Sequence, residues 1–129
     1  MNKKQLSIIV VNYNTSDLLV NCIQSIYEET KSLNFETIVV DNDSTDNSIS
    51  RMRKLFPNVK IIENNQNVGF AAANNQAIKN SKGEVVLLLN PDTIVLDKAI
   101  EKSYEFLCNH PDAGVVGCKL LNTDYSIQP

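Results

Sequence analysis

Short apolar runs alternate along this chain with longer segments in which apolar residues recur every three or four positions. The runs at residues 6–11, 35–40, 59–62 and 84–89 are rich in Val, Ile and Leu, which is typical of strands buried on both faces. Residues 113–118 have the same character and predict a fifth strand.

The segments between these strands predict four helices. Residues 15–17 and 43–45 offer side chains that cap the first two helices, and Pro57 ends the second. Residues 70–79 form the third helix, and His110 follows the fourth. The apolar positions expected to face the core are Leu19, Cys22, Ile23 and Ile26 in the first helix, Ile49, Met52 and Leu55 or Phe56 in the second, and Leu96, Ile100, Tyr104 and Leu107 in the fourth.

Strands that alternate with helices predict a single α/β domain over residues 1–129, with a mostly parallel, Rossmann-like sheet and helices on both faces. The crossover connections of such a sheet are right-handed. Ligands bind beyond the carboxyl ends of its strands, where the strand order reverses. Candidate chemistry is therefore expected where the apolar runs end.

Three of the predicted strands run directly into polar clusters. These clusters predict a shared site on one rim of the sheet, although Asn, Asp and Ser also favour turns and helix caps. The clusters are Asn12-Tyr13-Asn14 after the first strand, Asp41-Asn42-Asp43-Ser44 after the second and Asn90-Pro91-Asp92-Thr93 after the fourth.

Two of these clusters offer side chains for a nucleotide and a metal ion. Asp41 can accept the imide N–H of uracil or thymine, and Tyr13 can stack on the same base or lie in the core. Pro91 fixes the backbone so that Asp92 leaves the end of the strand. Its carboxylate suits Mg²⁺ or Mn²⁺ beside a diphosphate, and the alternative is that Asp92 only caps the next turn.

A further candidate lies at the start of the third predicted helix. Gly69, between Asn67 and Phe70, permits a positive φ and close approach of the backbone, and a helix N-terminus suits phosphate. Asn74 and Asn75 are poor helix formers in mid-helix. One of these two side chains is expected to face the ligand, with a solvated helix face as the alternative.

The composition excludes several classes of protein. The net charge of −3 is spread along the chain, so no surface for nucleic acid is expected. Cys22, Cys108 and Cys118 form no CxxC pair and are predicted to be buried or half-buried in a reducing compartment. Residues 1–11 lack a signal-peptide cleavage site, and no apolar run approaches the roughly 20 residues that span a bilayer. The sequence therefore predicts a cytoplasmic domain. If a longer parent protein carries a membrane anchor elsewhere, that anchor would hold the domain at the inner face of the membrane.

Four segments occur in an order and spacing that carry a resemblance to a known family. They are LSIIVVNYN at 6–14, IVVDNDSTD at 38–46, NVGFA at 67–71 and LLLNPDT at 87–93. Together they resemble the family-two inverting glycosyltransferases of GT-A fold, especially the bacterial rhamnosyltransferase-like branch. The resemblance covers about residues 6–118 and corresponds to the N-terminal, nucleotide-sugar-binding portion.

The resemblance implies transfer of sugar, with inversion, from a UDP- or dTDP-sugar to a glycan or lipid-linked acceptor in bacterial cell-surface polysaccharide synthesis. It implies that Tyr13 and Asp41 hold the nucleoside. The family's metal motif, Asp-any-Asp, matches residues 90–92, where Asn90 replaces the first Asp and leaves Asp92 as the stronger ligand. The predicted nucleotide-sugar site comprises Asn12, Tyr13, Asn14, Asp41, Asn42, Asn67, Gly69, Phe70 and Asn74.

The resemblance also implies that residues 1–129 lack part of the catalytic machinery. The family's general base and most of its acceptor contacts lie in a later half, so the catalytic base is unassigned and a truncated, transfer-inactive domain is expected. An apolar edge left uncovered predicts self-association. A non-catalytic nucleotide-binding or scaffold module of the same fold is the alternative. Dinucleotide-binding and P-loop domains are excluded because GxGxxG and GxxxxGK[ST] are absent.

Overall fold

The computed structural model describes residues 3–129 and shows four strands and four helices in strict alternation up to residue 109. The elements are β1 (Lys4–Asn12), α1 (Ser16–Glu29), β2 (Phe35–Asn42), α2 (Ser48–Leu55), β3 (Lys60–Asn64), α3 (Phe70–Lys79), β4 (Gly83–Leu88) and α4 (Ala99–Asn109).

The four strands form one parallel sheet in the order β3-β2-β1-β4, which confirms the predicted fold class. The chain moves outward from β1 through β2 to β3, and α3 then carries it back across the sheet to β4 on the other side of β1. The strand order therefore reverses beside β1, and a doubly wound sheet binds its ligands at that point of its carboxyl rim.

Apolar side chains cover both faces of the sheet. On one face Ile8 and Val10 of β1 pack with the predicted apolar stripe of α1, whose four members are fully buried. On the other face Ile9 and Ile38 pack against the small residue Ala73 of α3. Full burial of one aliphatic side chain contributes about 1.5–3 kcal/mol, so these two layers stabilise the domain.

The predicted fifth strand is wrong. Residues 113–118 have no regular structure, and the exposed fraction of Val115 is 90%. Gly114 and Gly117 interrupt this segment, and glycine weakens a strand because it has no side chain to pack. Cys118, like Cys108, is exposed rather than buried or half-buried, whereas Cys22 is buried as expected.

The fourth strand also differs from its expected burial. It is an edge strand of the sheet formed by residues 3–129, so its side chains are covered on one face only. Val85 and Leu87 pack on the core beside α1, while Val86 and Leu88 remain exposed on the opposite face. An unbroken apolar run does not distinguish a covered central strand from an edge strand.

The starts of α1 and α2 do not use the predicted caps. The Thr15 hydroxyl donates to Asn12 rather than capping α1, and α2 begins at Ser48 rather than directly after residues 43–45. The loop before α2 instead supplies Asp46, which accepts the N–H groups of both Ser16 and Ser48. The two helix starts therefore share one carboxylate.

Other inward-facing positions are resolved by packing. Phe56, just after α2, packs against the core while Leu55 is exposed, which settles the alternative left open for this helix. Leu96 lies before α4 and is exposed, whereas Ile100 in the first turn is buried. No helix within residues 3–129 has both the length and the apolar character required to cross a membrane.

Replacing Gly83 with Ala is expected to lower the free energy of unfolding by about 1–2 kcal/mol, because overpacked sites must shift their neighbours. A Cβ at Gly83 would lie 2.4 Å from the Ser7 nitrogen and 2.6 Å from the Leu6 carbonyl carbon, both backbone atoms of β1. Urea unfolding measures the change. The control is Gly114→Ala, where a Cβ meets no atom within 4 Å. Equal stability of the two variants would contradict the expectation.

Candidate functional site

The carboxyl ends of β1 and β2 meet through a buried polar pair. Asn12 and Asp41 are paired in register, and both side chains point to the face that carries α1 because Ile8, Val10 and Val39 of the same strands face that core. Asn12 Nδ2 donates to Asp41 Oδ1 at 2.8 Å. Two neighbouring strands thus place one buried carboxylate at the rim, as the sequence predicted.

The hydroxyl of Ser44 organises this pair. It donates to Asp41 Oδ1 at 2.6 Å and accepts from Asn12 Nδ2 at 3.2 Å and from the Asn14 N–H at 2.9 Å. One donor and two acceptor positions are the full capacity of a hydroxyl. The Ser44 N–H also donates to Asp41 Oδ2 at 2.9 Å, so that this oxygen retains one acceptor position.

The loops after β1 and β2 are held together above the rim. Asn14 Oδ1 accepts the N–H groups of Thr45, at 2.8 Å, and Asp46, at 3.3 Å. Asn14 and Asp43 have φ values of 51° and 66°, a left-handed conformation that Asn and Asp tolerate. Tyr13 follows β1 directly and is 51% exposed. This exposure excludes the alternative that Tyr13 lies in the core, and its ring is accessible at the rim.

Asp46 is the anionic anchor of the loop after β2. Burial alone would raise the pKa of its carboxyl, but the hydroxyl and N–H of Ser48 and the N–H of Ser16 outweigh that effect and hold the pKa below its ordinary value. Hydrogen bonds from donors stabilise the ionised carboxylate. The side chain therefore stays charged at neutral pH and fixes two helix starts beside the rim.

The start of α3 presents a turn that only glycine adopts readily. Gly69 has φ 84° and ψ 171°, a region essentially restricted to glycine, and the space around its Cβ position is open. Its N–H donates to Asn67 Oδ1 at 2.9 Å. Phe70 is 56% exposed. The turn and the positive end of the helix dipole therefore face solvent and are accessible to an anion.

The two mid-helix asparagines of α3 have different surroundings. Asn74 is buried, and its Nδ2 donates to the Phe70 carbonyl oxygen at 3.0 Å, while Asn75 is exposed. A side chain that bonds to the preceding turn of its own helix bends or fixes that turn. Asn74 is therefore oriented along α3 towards its first turn.

Asn42 reaches in the opposite direction from Asp41, because successive strand residues point to opposite faces. It is 2% exposed, donates to the Gly69 carbonyl oxygen at 3.3 Å and accepts from Asn64 Nδ2 at 3.0 Å. Asn64 in turn forms two hydrogen bonds with Gln76. Neither Asn64 nor Gln76 was identified from sequence, although an Asn that ends a strand is the same signal that identified Asn12.

The third cluster forms a corner after β4. The Asn90 carbonyl oxygen accepts from the Thr93 hydroxyl at 2.7 Å, and the Cys22 thiol lies 3.7 Å from the same oxygen. Burial, reinforced by the charge of Asp92, raises the pKa of the Cys22 thiol to about 11 despite a hydrogen bond with Thr93, so this thiol stays protonated. The side chains of Asn90 and Asp92 are exposed at the rim.

The corner offers oxygen ligands but not a closed metal site. The five ion pairs within residues 3–129 involve other carboxylates, so Asp92 is not neutralised by a lysine or arginine there. No three His, Cys, Asp or Glu side chains converge in this described part of the chain. One carboxylate and one amide leave coordination positions for ligand oxygens, an arrangement that suits Mg²⁺ or Mn²⁺ with a phosphate.

The doubly wound parallel sheet, with polar side chains gathered at its carboxyl rim beside the reversal point, defines a Rossmann-like α/β domain, a class that binds its ligands at that rim. Within that class the chain belongs to glycosyl transferase family 2, whose sequence profile matches residues 7–124. The family resemblance expected from the four sequence segments is confirmed. Among the relatives is the poly(ribitol-phosphate) beta-glucosyltransferase of Bacillus spizizenii, 35% identical over 107 residues.

Solved structures share the same architecture. S. aureus TarS 1-349, crystallised with UDP-GlcNAc, superimposes with a TM-score of 0.74 at 26% identity over 83% of this chain. The mannosyltransferase PcManGT from Pyrobaculum calidifontis, in complex with GDP-Man and Mn²⁺, gives a TM-score of 0.72 at 24% identity over 83% of this chain, a likeness of fold alone. The GT-A fold expected from the resemblance is confirmed.

This chain is much shorter than the proteins it resembles. The aligned region covers 79% of this chain but 17% of the Bacillus enzyme, and it covers 32% of the TarS chain and 33% of the PcManGT chain. The chain therefore spans only part of the length of each of these proteins.

Proposed function

We propose that this chain is the donor-binding domain of an inverting glycosyltransferase that takes its sugar from a UDP- or dTDP-sugar. The observation that carries the proposal is the buried carboxylate of Asp41, whose Oδ2 retains one acceptor position at the rim. The imide N–H of uracil or thymine is complementary to this acceptor. Tyr13 lies in the loop directly after the neighbouring strand β1, and its half-exposed ring would stack on the base.

The diphosphate then lies between α3 and the corner after β4. The Gly69 turn offers open space and a helix N-terminus, where backbone N–H groups and the helix dipole favour anions. The proposed nucleotide-sugar site consists of the residues predicted from sequence around Asp41 and Gly69. Asn12 and Asn14 shape the pocket for the base. The complex of TarS with UDP-GlcNAc supports a uridine donor.

A divalent cation is needed because the rim is acidic. The carboxylates of Asp41, Asp43, Asp46 and Asp92 would repel a diphosphate that arrived without a counter-ion. Asp92, assisted by Asn90, would hold Mg²⁺ or Mn²⁺ together with the phosphate oxygens. An ion held there would supply positive charge to offset the charge of the leaving diphosphate. PcManGT, which shares the fold, was solved with GDP-Man and Mn²⁺, and this supports a divalent cation beside the donor.

We propose a glycan or lipid-linked acceptor in cell-surface polysaccharide synthesis. The Bacillus enzyme is named for glucosylation of poly(ribitol-phosphate), which supports an acceptor of this class. The parent protein would meet a lipid-linked acceptor at the inner face of the membrane.

In the isolated chain, the exposed side chains of Val86 and Leu88 on an edge strand favour self-association.

We also propose that residues 3–129 do not supply the general base for the acceptor. Such a base typically contributes about 10²–10⁴-fold to the rate. The pKa of Asp97 is held low by its hydrogen bond and ion pair with Lys102, and that of Asp46 is held low by its helix-start donors. Asp43 lies exposed in the loop after β2. We infer that the base belongs to another part of the parent protein.

The 129-residue chain is therefore expected to bind UDP but to transfer no sugar from UDP-GlcNAc. Calorimetry with UDP in the presence of Mn²⁺ measures binding, and incubation with labelled UDP-GlcNAc and a poly(ribitol-phosphate) acceptor measures transfer.

The full-length parent protein is the control for this pair of assays. Turnover by the parent with no turnover by the chain supports the proposal. Nucleotide binding without turnover by either protein would instead identify a non-catalytic module, and transfer by the isolated chain would show that the base lies within its own residues. Absence of UDP binding would overturn the proposed donor.

A further inference from the structure

Three side-chain amides connect β2, β3 and α3 behind the rim. Asn64 Nδ2 donates to Asn42 Oδ1 at 3.0 Å and to Gln76 Oε1 at 2.8 Å, and Gln76 Nε2 donates back to Asn64 Oδ1 at 3.0 Å. Asn42 Nδ2 completes the chain by donating to the Gly69 carbonyl oxygen at 3.3 Å. We refer to Asn42, Asn64 and Gln76 as the amide network.

The amide network holds α3 at two points. Gln76 lies in the body of the helix, while the Gly69 carbonyl oxygen, which also accepts the Ala73 N–H, belongs to the residue just before its first turn. Seven residues of α-helix span roughly 10 Å, so the two attachments restrict both the position of the helix along its axis and the direction of its N-terminus. The sheet is the fixed body at the other end of both attachments.

The sheet end of the network is adjacent to the proposed base pocket. Asp41 and Asn42 are consecutive residues of β2 and point to opposite faces. Asp41 is held by Asn12 and Ser44, whereas Asn42 is held by Asn64 and holds the Gly69 turn. Two neighbouring residues of one rigid strand therefore set the acceptor for the base and the turn before α3.

We propose that the amide network is a positioning device that sets the Gly69 turn at the correct distance from Asp41 for one nucleoside diphosphate to reach both. The inference rests on the proposed donor-binding function and goes beyond it by assigning Asn42, Asn64 and Gln76 a role without contact to the nucleotide. Asn42 is buried while Asn64 and Gln76 are half-buried, and their mutual hydrogen bonds favour one geometry because most alternatives leave the Asn42 amide unsatisfied. Asn42, predicted as a binding residue, acts in this view through Gly69.

The test compares two probes that share a base. Uridine reaches only the pocket at Asp41, whereas UDP also reaches the Gly69 turn, so the ratio of their dissociation constants measures the contribution of the diphosphate. NMR titrations in the presence of Mn²⁺ give both constants. Gln76→Met removes both hydrogen bonds to Asn64 while keeping an unbranched side chain of similar length that helices accommodate.

The variant Gln76→Met is expected to reduce the ratio of the uridine dissociation constant to the UDP dissociation constant by about tenfold. This is the effect expected if the displaced Gly69 turn loses roughly one well-made hydrogen bond to the diphosphate. The dissociation constant of uridine is expected to stay unchanged. Asn80→Ala is the matched control, because Asn80 Nδ2 bonds to the Gln76 carbonyl oxygen at the far end of the same helix, at 2.8 Å. This control is expected to retain the wild-type ratio.

Other outcomes separate the inference from the proposed function. If the wild-type chain binds neither probe, the proposed donor is wrong and the inference fails with it. If the wild-type chain favours UDP and Gln76→Met retains the same ratio, or loses uridine and UDP in parallel, the positioning role alone is overturned. Thermal unfolding establishes that the variant is folded, and Asn64→Ala replaces it in the same titrations if it is not.

Discussion

Replacing Asp41 with Asn is expected to shift the base preference of the chain from UDP towards CDP. Asp41 Oδ2 accepts the Ser44 N–H and can also accept the imide N–H of uracil. An amide nitrogen in its place accepts neither hydrogen and opposes the Ser44 N–H, but it can donate to the unprotonated ring nitrogen of cytosine. A hydrogen bond to a charged group contributes about 1.5–3 kcal/mol, so UDP affinity should fall roughly 10- to 150-fold. Calorimetric titrations with UDP and CDP measure both changes.

The control for this variant is Asp43→Asn, two residues further along the chain. Asp43 is exposed, and Asn is equally tolerated at its φ of 66°. The control removes one negative charge from the same loop and is expected to leave the preference for UDP over CDP intact. If both variants show the same preference as the wild type, Asp41 is not the acceptor for the base.

Replacing Asp92 with Asn is expected to abolish the enhancement of UDP binding by Mn²⁺, which we expect to be about 100-fold in the wild-type chain, a coupling of about 2.7 kcal/mol. An ionised carboxylate is a far better ligand for a hard cation than an amide. The measurement is the UDP dissociation constant with and without Mn²⁺. Asn90→Ala is expected to lose less of the enhancement, because its amide is the weaker ligand of the pair.

Two further variants distinguish a specific metal ligand from a general effect of charge. Asp97→Asn removes an exposed carboxylate that is paired with Lys102 and lies beyond the corner, so Mn²⁺ coupling should persist. Asn90→Asp restores the second carboxylate of the family's metal motif and should increase the coupling. Equal loss of coupling in Asp92→Asn and Asp97→Asn would indicate a general effect of charge and would exclude Asp92 as a specific ligand.

Local sequence pattern determined the first four strands and the four helices of this domain, although it wrongly predicted a fifth strand. The apolar runs and the helical stripes depend on the periods of strand and helix, which are properties of the chain alone. The third helix was predicted as residues 70–79, the bounds it has in the structure, because Gly69 and Ser81-Lys82-Gly83 interrupt the pattern on either side. The alternation of the elements then required a parallel sheet.

The sequence also determined which end of the sheet would carry the polar clusters. Parallel strands all end on the same rim, so clusters that follow β1, β2 and β4 had to converge there whatever the strand order. This is why Asp41 and Asp92 could be assigned to one rim without knowledge of their neighbours. Their chemical roles remain predictions that the two substitutions above test.

Tertiary structure alone decided which side chains bond to one another. Whether β4 lies at an edge depends on strand order, which the apolar run of β4 does not encode. Asp46 accepts the N–H of Ser16 at the start of α1, although the two residues are 30 positions apart in the chain. The contact forms because the loops after β1 and β2 lie side by side at the rim. Local capping rules cannot predict such a contact, since they consider only the nearest residues.

The amide network is the clearest example of the same limit. Asn64 and Gln76 are 12 residues apart and belong to different elements, so no helical or strand period relates them. Their pairing follows from the distance at which α3 packs on β1 and β2 through small residues such as Ala73 and Ala77. The sequence by itself determined that the rim would be polar, and the packing of α3 on the sheet decided which of those polar groups reach outward and which hold the rim in place.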